Sequence, residues 1–122
     1  MLTAQLVLAA GNASRGKYLV NEVAKCGDCH TPVASNGLDQ QKWLKGTALP
    51  FQPLQPVPGW SSMAPDLTST GPLWRGWGEA GIRKFLETGL DPSGHAPGPP
   101  MPAYKLRAND AGDMAAYLKT LK

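Results

Sequence analysis

Apolar residues recur at helical spacing near both ends of the chain. In the first stretch Tyr18, Leu19, Val23 and Ala24 repeat on one side, with Val20 beside them, and predict a helix over residues 12–25 capped by Asn12 or Ser14. In the last, Ala111, Met114, Ala115, Leu118 and Leu121 recur at steps of three and four. Asn109 is the expected cap of that helix, Asp110 and Asp113 sit early in it, and Lys119 and Lys122 sit at its end, as the helix dipole favours. A shorter pattern of Ile82, Phe85 and Leu86 predicts a helix over 79–88, with Gly89 as its stop. Gly16 interrupts the first apolar stripe. A glycine there lets another backbone approach closely, or marks fraying near the end of the helix.

Between these helices the periodicity fails. Thr31-Pro32 ends any preceding turn, and residues 34–41 are polar with a tight-turn pair at Asn36-Gly37. Eleven of the twelve prolines fall between Pro50 and Pro102, which excludes continuous helix or central strand there. The prolines alternate with Phe51, Trp60, Leu67, Leu73, Trp74 and Trp77, enough apolar surface for packed loop rather than disorder. The expected fold is all-α, with three main helices and long Pro/Gly-rich loops. It forms one domain over 1–122, in which residues 1–11 are a loosely ordered N-terminal extension, and there is no internal repeat.

Composition adds a problem. A chain of 122 residues with only 7% aromatics has few large side chains to fill a core. The only two cysteines stand in Cys26-Gly27-Asp28-Cys29-His30, a Cys-x-x-Cys-His pattern at which haem is attached covalently. Two thiols separated by one helical turn can bond the two vinyl groups along one porphyrin edge, and the next residue then faces the iron. A buried haem would supply the missing apolar bulk. A thioredoxin-like dithiol expects strands alternating with helices, and strand patterns are scarce here. A zinc site would need all of Cys26, Cys29, His30 and His95, with adjacent residues His30 and Cys29 poorly placed for a tetrahedron.

The iron needs a ligand opposite His30. The candidates are Met101, His95, Met63 and Met114. Met114 belongs to the apolar side of the last helix, Met63 lies in ordinary loop and His95 in a glycine-rich stretch. Met101 is framed as Gly98-Pro99-Pro100-Met101-Pro102. Prolines that fit the bound geometry lower the ordering cost of a loop by about 0.5–1 kcal/mol each. A thioether is a weak ligand and benefits from that. Filling a core gap is the other role for this methionine.

The haem motif, the run Pro100-Met101-Pro102-Ala103-Tyr104 and Asp110-Ala111 leading to Ala116-Tyr117-Leu118-Lys119 resemble the monohaem class I cytochromes c. Arg15-Gly16-Lys17-Tyr18-Leu19-Val20 and Ala64-Pro65-Asp66-Leu67-Thr68 resemble more narrowly the bacterial branch related to cytochrome subunits of periplasmic dehydrogenases. The resemblance implies a small fold whose first and last helices cross, so that Gly16 and Tyr18 meet the face of Tyr117 and Leu118. It also implies one haem c, electron flow through an exposed haem edge, and donors to the haem propionates. Trp43, Trp60 and Tyr104 are the candidate donors, with ordinary packing as their other role. The segment from Gly16 to Cys26 is longer than in mitochondrial-type members, so the two helices are expected to meet at a different level.

The function these features predict is one-electron transfer by a carrier or by a module of a respiratory or dehydrogenase chain. The alternative is a haem-based ligand sensor or peroxidase with a labile sixth ligand. No paired carboxylates or nucleophile elbow suggest an enzyme. The net charge of +3 points to redox partners with an acidic docking face, Lys25 being one contributor, and not to nucleic acid. A monomer is expected. Attachment of c-type haem takes place outside the cytoplasm, so a periplasmic or other extracytoplasmic location is expected. The apolar stretch 2–10 lacks a preceding basic residue and is too short to span a membrane. It reads as the start of a mature chain behind an added Met1, or as the remnant of a signal.

Overall fold

A computed structural model describes residues 11–122. The extension expected over 1–11 lies, except for Gly11, outside the described residues. Four helices carry the fold: α1 (Ala13–Tyr18), α2 (Gly27–His30), α3 (Pro72–Thr88) and α4 (Ala108–Thr120). Two small antiparallel hairpins join them, β1 (Val33–Ala34) with β2 (Gly37–Leu38), and β3 (Thr47–Ala48) with β4 (Met63–Ala64). No helix among the described residues is long and apolar enough to cross a membrane.

The Asn12 side chain caps α1 by accepting the Arg15 N–H at 3.0 Å. The helix passes directly into a π turn, Leu19–Val23, closed by Ala24 N–H on the Leu19 carbonyl at 2.8 Å. A π turn holds more residues than an α turn, and so accommodates part of the length between Gly16 and Cys26. Lys25 then adopts a left-handed conformation (φ 57°), which swings the chain into α2.

α1 crosses α4 at close range. A Cβ on Gly16 would run into the Asp113 carbonyl, and one on Gly11 into the Gly112 carbonyl. Gly16 therefore packs, and does not mark fraying. Tyr18 is 59% exposed and takes no part in the crossing, because the helical turn that buries Gly16 points Tyr18 away. The Asp113 carboxylate clamps the crossing by accepting from Asn12 N–H at 2.7 Å and from Arg15 Nη1 at 2.9 Å.

Two local expectations change. α3 begins at Pro72, seven residues earlier than the apolar pattern suggests, and breaks at Gly78 (φ 69°, ψ 174°). Pro72 opens it because a proline costs nothing at a first helical position, where no N–H is needed. Leu73, Trp74 and Trp77 are consequently helical. α4 starts at Ala108 behind Arg107, so Asn109 lies inside the helix and caps nothing. Asn36-Gly37 is the turn of a hairpin, with Ala34 paired to Gly37. The core consists of Val20, Leu44, Trp74, Ile82, Leu86, Ala111, Met114, Ala115, Tyr117 and Leu118, drawn from all the long elements.

Gly16→Ala should cost about 1–3 kcal/mol of unfolding free energy, the usual range for overpacking, measurable by denaturant titration. Asp113 gives a pH test. The Asn12 amide, then Arg15, hold its carboxyl below the usual carboxylate range. A lowered folded pKa stabilises above the unfolded value of about 3.9 and is lost as pH falls through the folded one. The stability gap between wild type and Asp113→Ala should be full at pH 7 and shrink below about pH 4.

Candidate functional site

The Cys-x-x-Cys-His residues form the single turn α2, with His30 N–H bonded to the Cys26 carbonyl at 2.9 Å. That turn presents Cys26, Cys29 and His30 to one cavity of about 430 Å³. The volume falls within the roughly 300–1,000 Å³ range of ligand pockets. Its other walls are mainly apolar: Leu67 from the loop, Leu73, Trp77 and Phe85 from α3, Met114 and Leu118 from α4.

His30 is buried and held at a fixed orientation. Its Nδ1 lies 2.8 Å from the Pro65 carbonyl, which can only accept, so Nδ1 carries the proton and Nε2 keeps its lone pair. Burial lowers the His30 pKa, partly offset by that hydrogen bond, and so favours the neutral, ligating imidazole. The same desolvation pushes the Cys26 thiol up to about 11 and raises Cys29, with Asp28 adding to the effect at Cys29. A nucleophilic redox dithiol needs the opposite shift. Among the described residues no group of three or more His, Cys, Asp or Glu is placed to hold a metal ion. Neither competing reading of the motif finds support in this geometry.

Met101 lines the cavity with Pro100 and Pro102 beside it. Met63, His95 and Met114 line it too. Met114 is fully buried in the helical core, whereas Met63 and His95 are exposed at the rim. Tyr104 contributes its ring to the wall and donates its hydroxyl to the Ala24 carbonyl at 3.3 Å.

Trp43 and Trp60 are not brought to this cavity. Trp43 packs behind the motif turn, its ring so close to Gly27 that a Cβ there would overlap it. Its indole N–H donates to Asn21 Oδ1 at 3.2 Å, and Asn21 Nδ2 donates to the Tyr117 hydroxyl at 3.3 Å. Trp60 packs edge-on against Phe51 at 6.1 Å.

Sequence reasoning missed Pro65, whose contribution is a backbone carbonyl and leaves no side-chain trace. It also missed Leu73, Trp77 and Phe85 as walls. Pro72 followed by Leu73 and Trp77, four residues apart, is the helical signal that would have placed the first two.

The donor set suits a c-type haem: two neutral thiols, an oriented imidazole and a thioether around one apolar space. Residues 13–122 match the family model described as Cytochrome c. The chain is 32% identical over 116 residues to a protein named diheme cytochrome c-type of Cereibacter sphaeroides, covering 90% of this chain and 36% of that one. It is 33% identical over 91 residues to the fructose dehydrogenase cytochrome subunit of Gluconobacter japonicus, covering 70% of this chain and 16% of that one. It is 39% identical over 80 residues to the cytochrome c subunit of a quinone alcohol dehydrogenase of Gluconobacter oxydans, covering 62% and 16% respectively. The chain thus spans about a third or less of the curated relatives it matches.

Trp43→Phe should leave the walls of the cavity and any absorption spectrum arising from it unchanged. It should cost about 1 kcal/mol of stability through the lost indole hydrogen bond, read by denaturant titration.

Proposed function

Because the chain belongs to the cytochrome c family, with a general role in electron transfer, we propose that it is a monohaem module. Cys26 and Cys29 would hold one haem c covalently, and His30 and Met101 would ligate its iron. The observation that carries this reading is the convergence of all four side chains on one apolar cavity. A bound haem supplies a one-electron iron couple. The protein does the rest. Cys26 and Cys29 anchor one edge of the ring as thioethers. His30 offers Nε2 because Pro65 holds Nδ1–H. Met101 would supply a thioether to the same metal, which would favour the reduced state relative to a second histidine. Leu67, Trp77, Phe85 and Leu118 exclude water. With His30 and Met101 both holding the metal, a substrate would have no place at it.

The second reading, a sensor or peroxidase with a labile sixth ligand, is favoured by the other possible ligands at the rim, Met63 and His95. Carbon monoxide separates the two.

Partners are proposed to be redox proteins, and the chain to act as a monomer outside the cytoplasm. The greater length of the relatives, and their diheme and dehydrogenase names, support a place in series with further redox centres. The cavity mouth is nearly neutral. Residues 46–65 and 92–104 contain no Asp, Glu, Lys or Arg, and Lys25 and Asp91 are the charged residues that line the cavity. Two haem propionates would cancel most of the chain's net charge of +3, which leaves a modest long-range preference for an acidic partner, while the contact at the mouth is apolar.

Denatured wild-type protein should retain a covalent haem spectrum, and its reduced form should bind carbon monoxide little and slowly. Met101→Ala should lower the midpoint potential and bind the gas rapidly. A wild-type-like potential in that variant rejects Met101, and rapid stoichiometric binding by wild type favours the sensor reading.

A further inference from the structure

Proline can preset the shape of the Met101 loop, but it cannot decide where the loop stands relative to His30. A thioether binds too weakly to drag a misplaced loop into position. Something must set the distance across the cavity. The 46–65 loop touches both sides. At its base Gly46 N–H donates to the His30 carbonyl at 2.8 Å, and the Pro65 carbonyl accepts from His30 Nδ1 at 2.8 Å. Pairing of β3 with β4 closes that base.

At the far end the same loop meets the Met101 segment. Ser61 N–H donates to the Pro99 carbonyl at 2.6 Å. Gly98 lies directly against the Gly59 carbonyl, and a Cβ on Gly98 would overlap that oxygen. Met101 N–H closes a turn onto the Gly98 carbonyl at 3.2 Å. Within the loop, Leu49 N–H on the Ser62 carbonyl at 2.8 Å and the Phe51–Trp60 edge contact tie the two strands together.

We infer that the 46–65 loop is a brace that sets the separation of His30 and Met101, and that its Gly59–Ser61 corner positions the Met101 thioether. The inference rests on Met101 as the sixth ligand. It explains why a long uncharged, proline-rich segment is folded against the cavity mouth. Gly59 lies outside the cavity lining, and Ser61 and Gly98 reach only its edge beside Met101. They are positioning residues that act through Met101.

The test uses the holoprotein. Gly98→Ala pushes the Met101 segment off the brace. Gly76→Ala is the control, since a Cβ at Gly76 meets nothing within 4 Å. Met101→Ala is the fully open reference. Gly98→Ala should bind carbon monoxide in the reduced state about tenfold faster than wild type, lower the midpoint potential, and keep its covalent haem. Gly76→Ala should match wild type. Coupling is reciprocal, so hydrogen exchange of the Ser61 amide should also quicken in Met101→Ala, a readout that needs only one well-folded variant. Wild-type gas kinetics and potential in Gly98→Ala, beside an open Met101→Ala, overturn the brace and leave the ligand assignment standing. So does unchanged Ser61 exchange in an open Met101→Ala. A Met101→Ala protein with wild-type gas kinetics overturns the ligand assignment, and the brace falls with it.

Discussion

His30 is gripped twice by one segment, through its carbonyl by Gly46 N–H and through its ring by the Pro65 carbonyl. The rest of the structure depends on that grip. It fixes the imidazole plane, selects the tautomer and seats the motif turn against the loop that forms one wall of the cavity. The buried Thr31 hydroxyl extends the same contact by accepting Leu44 N–H at 2.9 Å. Leu44 is fully buried in a left-handed conformation that costs free energy, and its carbonyl in turn accepts Leu67 N–H at 2.9 Å. The strain persists because both backbone groups of Leu44 are tied down.

One environment accounts for the chemistry of the motif. The apolar walls from α3 and α4 desolvate whatever faces them. Desolvation lowers the His30 pKa and raises both thiols, so one cause favours the neutral form of each although the shifts run in opposite directions. A neutral imidazole is the form that can ligate a metal. The cavity thus does more than hold a flat apolar group.

Much of this was legible in the residues. The Cys26–His30 spacing pointed to the family that the comparison shows, and the two terminal amphipathic patterns placed α1 and α4. The odd glycine at position 16 marked the crossing. What escaped reading was mostly backbone. Pro65, Gly59 and Pro99 act through carbonyls, and β1 to β4 are two-residue pairings too short to show alternation. The first half of α3 was hidden by its own glycines, Gly76 and Gly78, the second of which breaks the period. Trp43 and Trp60 were candidate donors by residue type, and neither lines the cavity. Their direction is set by tertiary partners, Asn21 and Phe51, that no local pattern reveals.

The clamp between Asn12 and Asp113 joins residues 101 positions apart. α1 has only six residues, too few to be a stable helix alone, and it depends on α4 for its partner surface. The chain therefore cannot close until α4 has been synthesised, and contacts of such long sequence separation form slowly. The walls that Met114 and Leu118 lend the cavity arrive with that same helix, so the crossing and the site close in one step.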